Sequence, residues 1–411
     1  MPRRPLGHLR KLPRNSAAAH FLNAAEQNAD AGDLAALAKH RSRGFPSISR
    51  FNPGAIGAFL WNYARHVITP RPEFPAPTAE STVKVNDALR IAIAGDWATG
   101  TDESAAIASR IADQAADYTI HLGDVYYVGD GRSIDENCRN KRQNNGYDPV
   151  LWPTGKLGSF AMNGNHEAYA RDKHYFEWIR SDLRQPSSCF CLYNRFWCVL
   201  GLDTGYNSEG MPFLGWLAER YGWKWLMPSC ALPSEVVDWL ETKINAEILK
   251  DQAILLLTHH QYVSSFENEY SRPAEQLAQF PAFRNRNLLW FWGHEHRLAG
   301  YGLCGDSGIR AYGRCLGNGG MPVERGVAPK PRRPIQFYDD RSYDPESGKI
   351  VAEATDYGVN GYALLAFDGA SLRIEYRDLN DSVIVSELWR SEGGSAILNS
   401  QTCDSSIRGT T

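Results

Sequence analysis

No apolar run in this chain approaches the ~20 residues that a membrane-spanning helix needs. The longest, Ala253–Leu257 and Leu288–Trp292, are strand-sized. An excess of one charge is also missing. Lys and Arg number 44 against 47 Asp and Glu, a net charge of −3, so the molecule as a whole offers no electrostatic attraction to nucleic acid or to an anionic membrane. Cysteine is scarce, with eight residues (Cys138, Cys189, Cys191, Cys198, Cys230, Cys304, Cys315, Cys403) and no CxxC pair. That spacing excludes zinc ribbons and thioredoxin-type redox motifs. With no apolar leader at the start, the cysteines read as reduced thiols and the expected compartment is cytoplasmic; a disulfide within Cys189–Cys198 stays open. The first acidic residue is Glu26, after Arg3, Arg4, Arg10, Lys11 and Arg14. This Arg-rich opening overlaps in composition with organelle transit peptides, although a solvated tail is the plainer reading.

What is present is a globular composition, 43% hydrophobic and 22% charged, enough for a sizeable core. Residues 1–87 read as an accessory segment. Helical periodicity spans Ala17–Arg41 and Gly54–Val67, and the prolines of Thr69–Thr78 make a stiff linker. From Leu89 the pattern changes to strand and helix in alternation. Strands are expected at Leu89–Ala94, Tyr118–Leu122, Ser159–Met162, Phe196–Leu202, Ala253–Thr258 and Leu288–Phe291. Helices are expected at Asp102–Gln114, Ser234–Ile248 and Ala274–Phe283. After Gly300 helices give way to antiparallel strands at Ile309–Cys315, Gly361–Phe367, Ser371–Arg377 and Ser382–Leu388, with Asp368-Gly369 as a hairpin turn. The reading is an α/β fold with a catalytic domain over 88–390, two sheets face to face with helices outside, and a loose polar tail over 391–411.

Chemistry-bearing residues fall at the ends of these strands, where α/β sheets place their ligands. The first strand ends Gly95-Asp96-Trp97 and the second Gly123-Asp124-Val125-Tyr126-Tyr127. The third ends Asn163-Gly164-Asn165-His166-Glu167, and later ones end Thr258-His259-His260 and Gly293-His294-Glu295-His296. Each group alone is more often a cap, a turn or a satisfied core side chain than a ligand. Five metal-competent groups at consecutive strand ends are a different matter, since they bring oxygen and nitrogen donors to one edge.

These motifs resemble the calcineurin-like metallophosphoesterase superfamily, over about residues 89–380. The second motif carries Tyr126-Tyr127-Val128 where protein Ser/Thr phosphatases carry an arginine, which disfavours that branch. The first motif is Asp96-Trp97-Ala98 and lacks the histidine of the common D-x-H form. The branch that replaces this histidine with a tyrosine three places after the bridging aspartate is the purple acid phosphatases, so the resemblance assigns that role to Tyr127 and not to Tyr126. It implies a four-layer α-β-β-α sandwich holding two metal ions, iron plus a second ion (Zn, Mn or Fe). One ion would be held by Asp96, Asp124, Tyr127 and His296, the other by Asp124, Asn165, His259 and His294. Asp124 bridges, because a carboxylate can give one oxygen to each cation. His166 is the implied catalytic group beside the leaving oxygen, with Asp124 as its catalytic partner through the metals.

His259 is preferred to His260 as the ligand that directly follows the strand; His260 is either supporting or superficial. Glu167 either orients His166 or caps a helix, and Asp203-Thr204 is read as structural. Gly317–Met321 lacks the helix with Lys-Ser/Thr that a phosphate-cradling loop needs, so it reads as a turn near the site. The aromatic stretch Phe213–Trp225 either stacks bases or buries area. The insertion Gly129–Gly158, with Arg132, Arg139, Lys141 and Arg142, is either a substrate entrance or a solvated loop. The expected activity is hydrolysis of a small-molecule phosphate ester, with membrane excluded and nucleic acid disfavoured as partners; oligomeric state is not legible. A nucleotide or cyclic-nucleotide phosphodiesterase, and a non-catalytic scaffold on the same fold, are the rival readings.

Overall fold

The computed structural model describes residues 70–409 except 127, 142–148, 209–227, 324, 326, 345–346 and 356. The two N-terminal helical patterns, the aromatic stretch Phe213–Trp225 and Tyr127 therefore lie outside the described residues.

Two large sheets form the body. The first takes β2 (Ala88–Ala94), β3 (Tyr118–His121), β4 (Gly158–Ala161), β14 (Gly361–Asp368), β15 (Ser371–Asp378), β16 (Val383–Glu392) and β17 (Ser395–Cys403) in the order β17-β16-β15-β14-β2-β3-β4. The second takes β1 (Thr82–Lys84), β5 (Phe190–Tyr193), β6 (Trp197–Gly201), β7 (Ala253–Leu257), β8 (Asn287–Trp292), β9 (Leu298–Asp306), β10 (Ile309–Leu316), β11 (Ile335–Tyr338) and β18 (Arg408–Gly409) in the order β1-β5-β6-β7-β8-β10-β9-β11-β18. A small ribbon of β12 (Ser342–Asp344) and β13 (Lys349–Val351) stands apart.

Strand runs that are apolar throughout are buried on both faces, and a period of two sorts their side chains. Leu89, Ile91 and Ile93 of β2 meet Leu289 and Phe291 of β8 and Leu365 of β14 in the core between the sheets. The alternate residues Ala92, Ala94, Leu288, Trp290 and Trp292 pack outward, against a layer that includes Ile107 and Ile111 of α1 (Asp102–Asp113) and Val236 and Trp239 of α5 (Ser234–Trp239). The mixed α/β architecture of two packed sheets with helices outside is thus borne out. The Asp368-Gly369 turn joins β14 to β15 with Gly369 at φ 58°, a left-handed position that suits glycine. No helix among the described residues is long and apolar enough to cross a membrane.

Four expectations need correction. The helix over Ser234–Ile248 is α-helical only to Trp239 and continues as a π-helix over Leu240–Ile248. The helix over Ala274–Phe283 is two short ones, α6 (Arg272–Leu277) and α7 (Pro281–Arg284), because Pro281 has no N–H to continue the ladder and holds Phe280 extended. The loose tail over 391–411 is largely strand. β17 pairs antiparallel with β16 and buries Ala396, and β18 pairs with β11 beside buried Ile407. Its polar residues mislead because an edge strand keeps one face in water.

The boundary at residue 87 is also displaced. β1 pairs parallel with β5, and Phe74 lies 8% exposed with its ring edge-on to Phe176 (6.3 Å) and Tyr206 (5.2 Å). The proline-rich segment is extended, as its composition dictates, but it is strapped to the domain and does not swing free of it. Phe74→Ala is therefore expected to destabilise the fold by about 3 kcal/mol in urea unfolding. A loss below about 0.5 kcal/mol, the scale of a surface substitution, would return residues 70–87 to the status of a linker.

Candidate metal centre

The five motifs converge because their strands run side by side. β2, β3 and β4 are mutually parallel in one sheet, and β7 and β8 are parallel neighbours in the other. Each chain leaves its strand through a sharp turn. Asp96 (φ 55°), Asp124 (φ 72°) and His294 (φ 63°) all adopt the left-handed conformation, at a cost of roughly 1–2 kcal/mol each for a residue with a Cβ. Such strain persists where neighbours over-determine it. Here the His294 N–H donates to Asp96 Oδ2 (2.7 Å) and the His166 N–H donates to Asp124 Oδ1 (3.1 Å), so the two carboxylates are tied to the backbone of other motifs. Glycine makes the close approach feasible: a Cβ on Gly164 would stand 2.1 Å from Asp124 Oδ1, and one on Gly293 2.7 Å from Asp96 Oδ2.

Asp96 and Asp124 are almost wholly inaccessible to solvent, at 0% and 1%. Their carboxylate oxygens and a ring nitrogen of His259 lie within 4.8 Å of one another. His259 Nε2 is 3.2 Å from Asp124 Oδ1 and 3.2 Å from Asn165 Oδ1. Its other nitrogen, Nδ1, lies 2.8 Å from the Leu122 carbonyl and can only donate there. Burial would lower this imidazole, but Asp124 outweighs it and pushes the ring up to about 10, so Nε2 faces the carboxylate as a donor whose proton a metal ion would replace. His166 Nε2 stands 3.7 Å from Asp124 Oδ2, and His296 Nε2 3.6 Å from Asp96 Oδ1. Burial pushes the Asp96 carboxyl up to about 8, opposed by His259 and reinforced by Asp124. Burial acts on Asp124 in the same sense, yet His259 and His166 outweigh it and hold that carboxyl well below its usual range. Burial, with His259 beside them, keeps His294 and His260 neutral far below the usual imidazole value.

Seven of the residues singled out in the sequence are thus brought to one place: Asp96, Asp124, Asn165, His166, His259, His294 and His296. Tyr127 falls outside the described residues. Its neighbour Tyr126, set aside by motif register, is fully buried with its hydroxyl 2.8 Å from Asp96 Oδ1, 3.2 Å from Asp124 Oδ2 and 3.0 Å from His296 Nε2. Burial and the two carboxylates keep this phenol protonated, so it donates to Asp96. His260 follows the supporting reading. It is not superficial: Nδ1 meets Thr204 Oγ1 at 3.0 Å, and the ring joins His259 and His294 in a group whose nitrogens lie within 4.8 Å of one another. The doubled histidine after β7 was the available signal for it.

Other candidates sort by contact. Glu167 accepts from the Gly164 N–H (3.1 Å), closing the first turn of α3 (Asn165–Tyr169), so its partner is backbone and it follows the helix-start reading. Asp203 accepts from Asn163, Ser188 and the Tyr206 N–H, supporting the chain behind the third motif. The Gly317–Met321 turn backs the first motif, with the Gly319 N–H on the Gly95 carbonyl and the Met321 N–H on the Asp96 carbonyl. Arg139 and Lys141 are ion-paired with Asp135 and Asp182, while Arg142 of the same insertion lies outside the described residues. Cys191 and Cys198 face each other as thiols, Sγ to Sγ 3.3 Å.

The family model of calcineurin-like phosphoesterases matches residues 89–298, just over half of the chain, and the protein belongs to that family. No curated protein matches the chain by sequence. Among solved structures it is similar to GAP50, the anchor in the inner membrane complex of Plasmodium, at 12% identity and TM-score 0.46, covering 75% of this chain and 91% of that one. It is similar to a dimetal phosphatase from Danio rerio at 12% identity and TM-score 0.43, covering 74% and 99%. It is also similar to the purple acid phosphatase PPD1 from yellow lupin (Lupinus luteus) seeds at 12% identity and TM-score 0.41, covering 77% of this chain and 54% of that one.

The packing at Gly164 supplies a test of the centre that needs no substrate. Gly164→Ala must displace either Asp124 or the third motif, so the folded variant is expected to retain far less metal after dialysis than the parent. Metal analysis showing equal retention would mean that the Asp124 carboxylate is not where the ligands meet.

Proposed function

We propose that this protein is a dinuclear metal-dependent hydrolase of phosphate esters, a phosphomonoesterase of the purple-acid-phosphatase type. The observation that carries the reading is the pair of buried carboxylates: among the described residues no lysine or arginine pairs with Asp96 or Asp124, and imidazoles surround both. Buried carboxylates need cationic partners, and a mixed set of carboxylate, amide and imidazole donors fits first-row metal ions. One ion would be held by Asp96, Asp124, His296 and a tyrosine, the second by Asp124, Asn165, His259 and His294, with His260 beside the latter group. Bound there, the two ions would clamp a phosphate and lower the pKa of an attacking water to roughly 7.

The chain's own residues account for the remaining work. Asn165 contributes an oxygen without adding negative charge, which leaves the centre cationic toward a phosphate dianion. The hydrogen bond from His259 Nδ1 to the Leu122 carbonyl fixes the ring so that its donor nitrogen cannot turn away. His166 lies at the open side, 17% exposed, with its ring between Tyr126 (4.4 Å) and Tyr169 (5.2 Å). From there its Nε2 can give a proton to a departing alkoxide or hold it by a hydrogen bond. A full complement of donors also weighs against the scaffold reading, since a binding module has no use for seven converging ligands.

Asp124→Ala is expected to abolish hydrolysis across a phosphoester panel and to release both ions, because it removes the one shared ligand. Near-normal turnover by that variant, or full activity after exhaustive chelation, would overturn the two-metal reading. His166→Ala should keep its metals and lose about 10²-fold in kcat on esters with poor leaving groups, but much less on activated aryl esters. Equal losses on both kinds of ester would assign His166 to phosphate positioning.

The tyrosine determines the branch. A phenolate is a hard donor suited to Fe(III), and its charge transfer colours the oxidised protein violet. Motif register points to Tyr127 and contact geometry to Tyr126, so iron-loaded Tyr126→Phe and Tyr127→Phe, compared by visible spectrum, separate them. The variant that bleaches identifies the ligand, and a colourless parent with iron present would remove both from the ligand set.

A further inference from the structure

The strap over residues 70–81 does more than cover apolar surface. Its Arg71, with 17% of the side chain exposed, reaches a fully buried carboxylate, Asp172. Arg71 Nε donates to Asp172 Oδ2 at 2.6 Å, a terminal nitrogen of the same guanidinium pairs with that carboxylate, and another bond runs to the Tyr206 carbonyl. The guanidinium also lies 3.8 Å over the Tyr206 ring, whose hydroxyl donates to the Pro72 carbonyl at 3.1 Å. Strap and domain are therefore fastened in both directions around Tyr206.

Asp172 stands at the head of α4 (Lys173–Ser181), in a left-handed conformation (φ 56°) directly after left-handed Arg171 (φ 61°). Its second oxygen accepts from Asn163 Nδ2 at 3.0 Å, while the other hydrogen of that amide goes to Asp203 Oδ2 at 3.2 Å. Asn163 opens the third motif, two residues before Asn165 and three before His166. Its amide is clamped between two buried carboxylates, and Arg71 is the cation paired with one of them. Burial drives the Asp172 carboxyl upward, Arg71 is the strongest influence in the opposite sense, and the balance lies at about 7. The Asp172 N–H also bonds the Glu167 carbonyl (2.9 Å), tying the far end of the same motif to the same residue.

We infer that Arg71 is a positioning residue for the phosphoesterase centre, acting through Asp172 and Asn163 to fix the loop that presents Asn165 and His166. This rests on the hydrolase reading above for its kinetic arm only. Removing Arg71 leaves a buried carboxylate without its cation, and supporting partners of metal ligands are worth roughly 10–100-fold in affinity or activity.

The test uses full-length Arg71→Met, Arg71→Lys and the double variant Arg71→Met/Asp172→Asn, loaded with Zn²⁺. Arg71→Met is expected to lower kcat on p-nitrophenyl phosphate about 10-fold with KM unchanged, and to lose Zn²⁺ to a competing chelator sooner than the parent. The double variant should recover most of both, because an amide at position 172 still accepts from Asn163 and no buried charge is left unpaired. Arg71→Lys keeps the charge without the fork and should fall between; it carries the test should Arg71→Met fail to fold. Variants that melt lower yet keep parental kcat and Zn²⁺ retention would reduce Arg71 to a packing residue and overturn the inference. So would a double variant no better than Arg71→Met. A parent that hydrolyses no phosphoester would defeat the functional reading but not this one, which Zn²⁺ retention still decides.

Discussion

The arrangement of this molecule depends on keeping two carboxylates, Asp96 and Asp124, out of water without giving either a lysine or arginine partner. In a low-dielectric interior such a pair is tolerable only beside donors that can be charged, or around metal ions. Much of the surrounding structure follows from that requirement. The left-handed turns aim the carboxylates inward, the neighbouring glycines let backbone come within contact of them, and amide N–H groups from other motifs hold their oxygens. The imidazoles complete a candidate donor set in which no lysine or arginine takes part among the described residues.

The two-sheet core is the frame that makes this possible. Parallel strands end at one level, so five separate stretches of chain deliver their next residues to a common edge. Burial on both faces makes these strands rigid, and rigidity is what lets three non-glycine residues sit at positive φ without the turns relaxing. The strain at the centre and the apolar runs in the strands are two sides of one design.

Around the centre, roles divide by distance from the carboxylates. Tyr126, His260 and Asn165 touch the donor group directly, whereas Leu122, Thr204, Asn163 and Asp172 act by fixing something else. The N-terminal strap belongs to the second kind. Its attachment through Arg71 and Phe74 joins residues well outside the family match to the motif that carries Asn165 and His166.

The strands, their order of chemistry and the candidate donor residues were legible from the sequence, because a period of two and a strand-end position are local properties. Asp96, Asp124, Asn165, His166, His259, His294 and His296 all stand out by that rule. What only the tertiary structure decided were matters of reach. Motif spacing selects Tyr127, which lies outside the described residues, while a hydroxyl that meets Asp96 is that of Tyr126, a contact that spacing does not announce. Whether His260 supports the site or is superficial is decided only by Thr204, fifty-six residues away, which its Nδ1 meets. The strap looks like a linker because a run of closely spaced prolines reads as an extended spacer, and nothing in the sequence near Arg71 announces Asp172, 101 positions on. Polar β17 looks like a tail because an edge strand needs only one apolar face. Local pattern determines which residues can do chemistry and which segments can be strands; long-range pairing determines which of them meet.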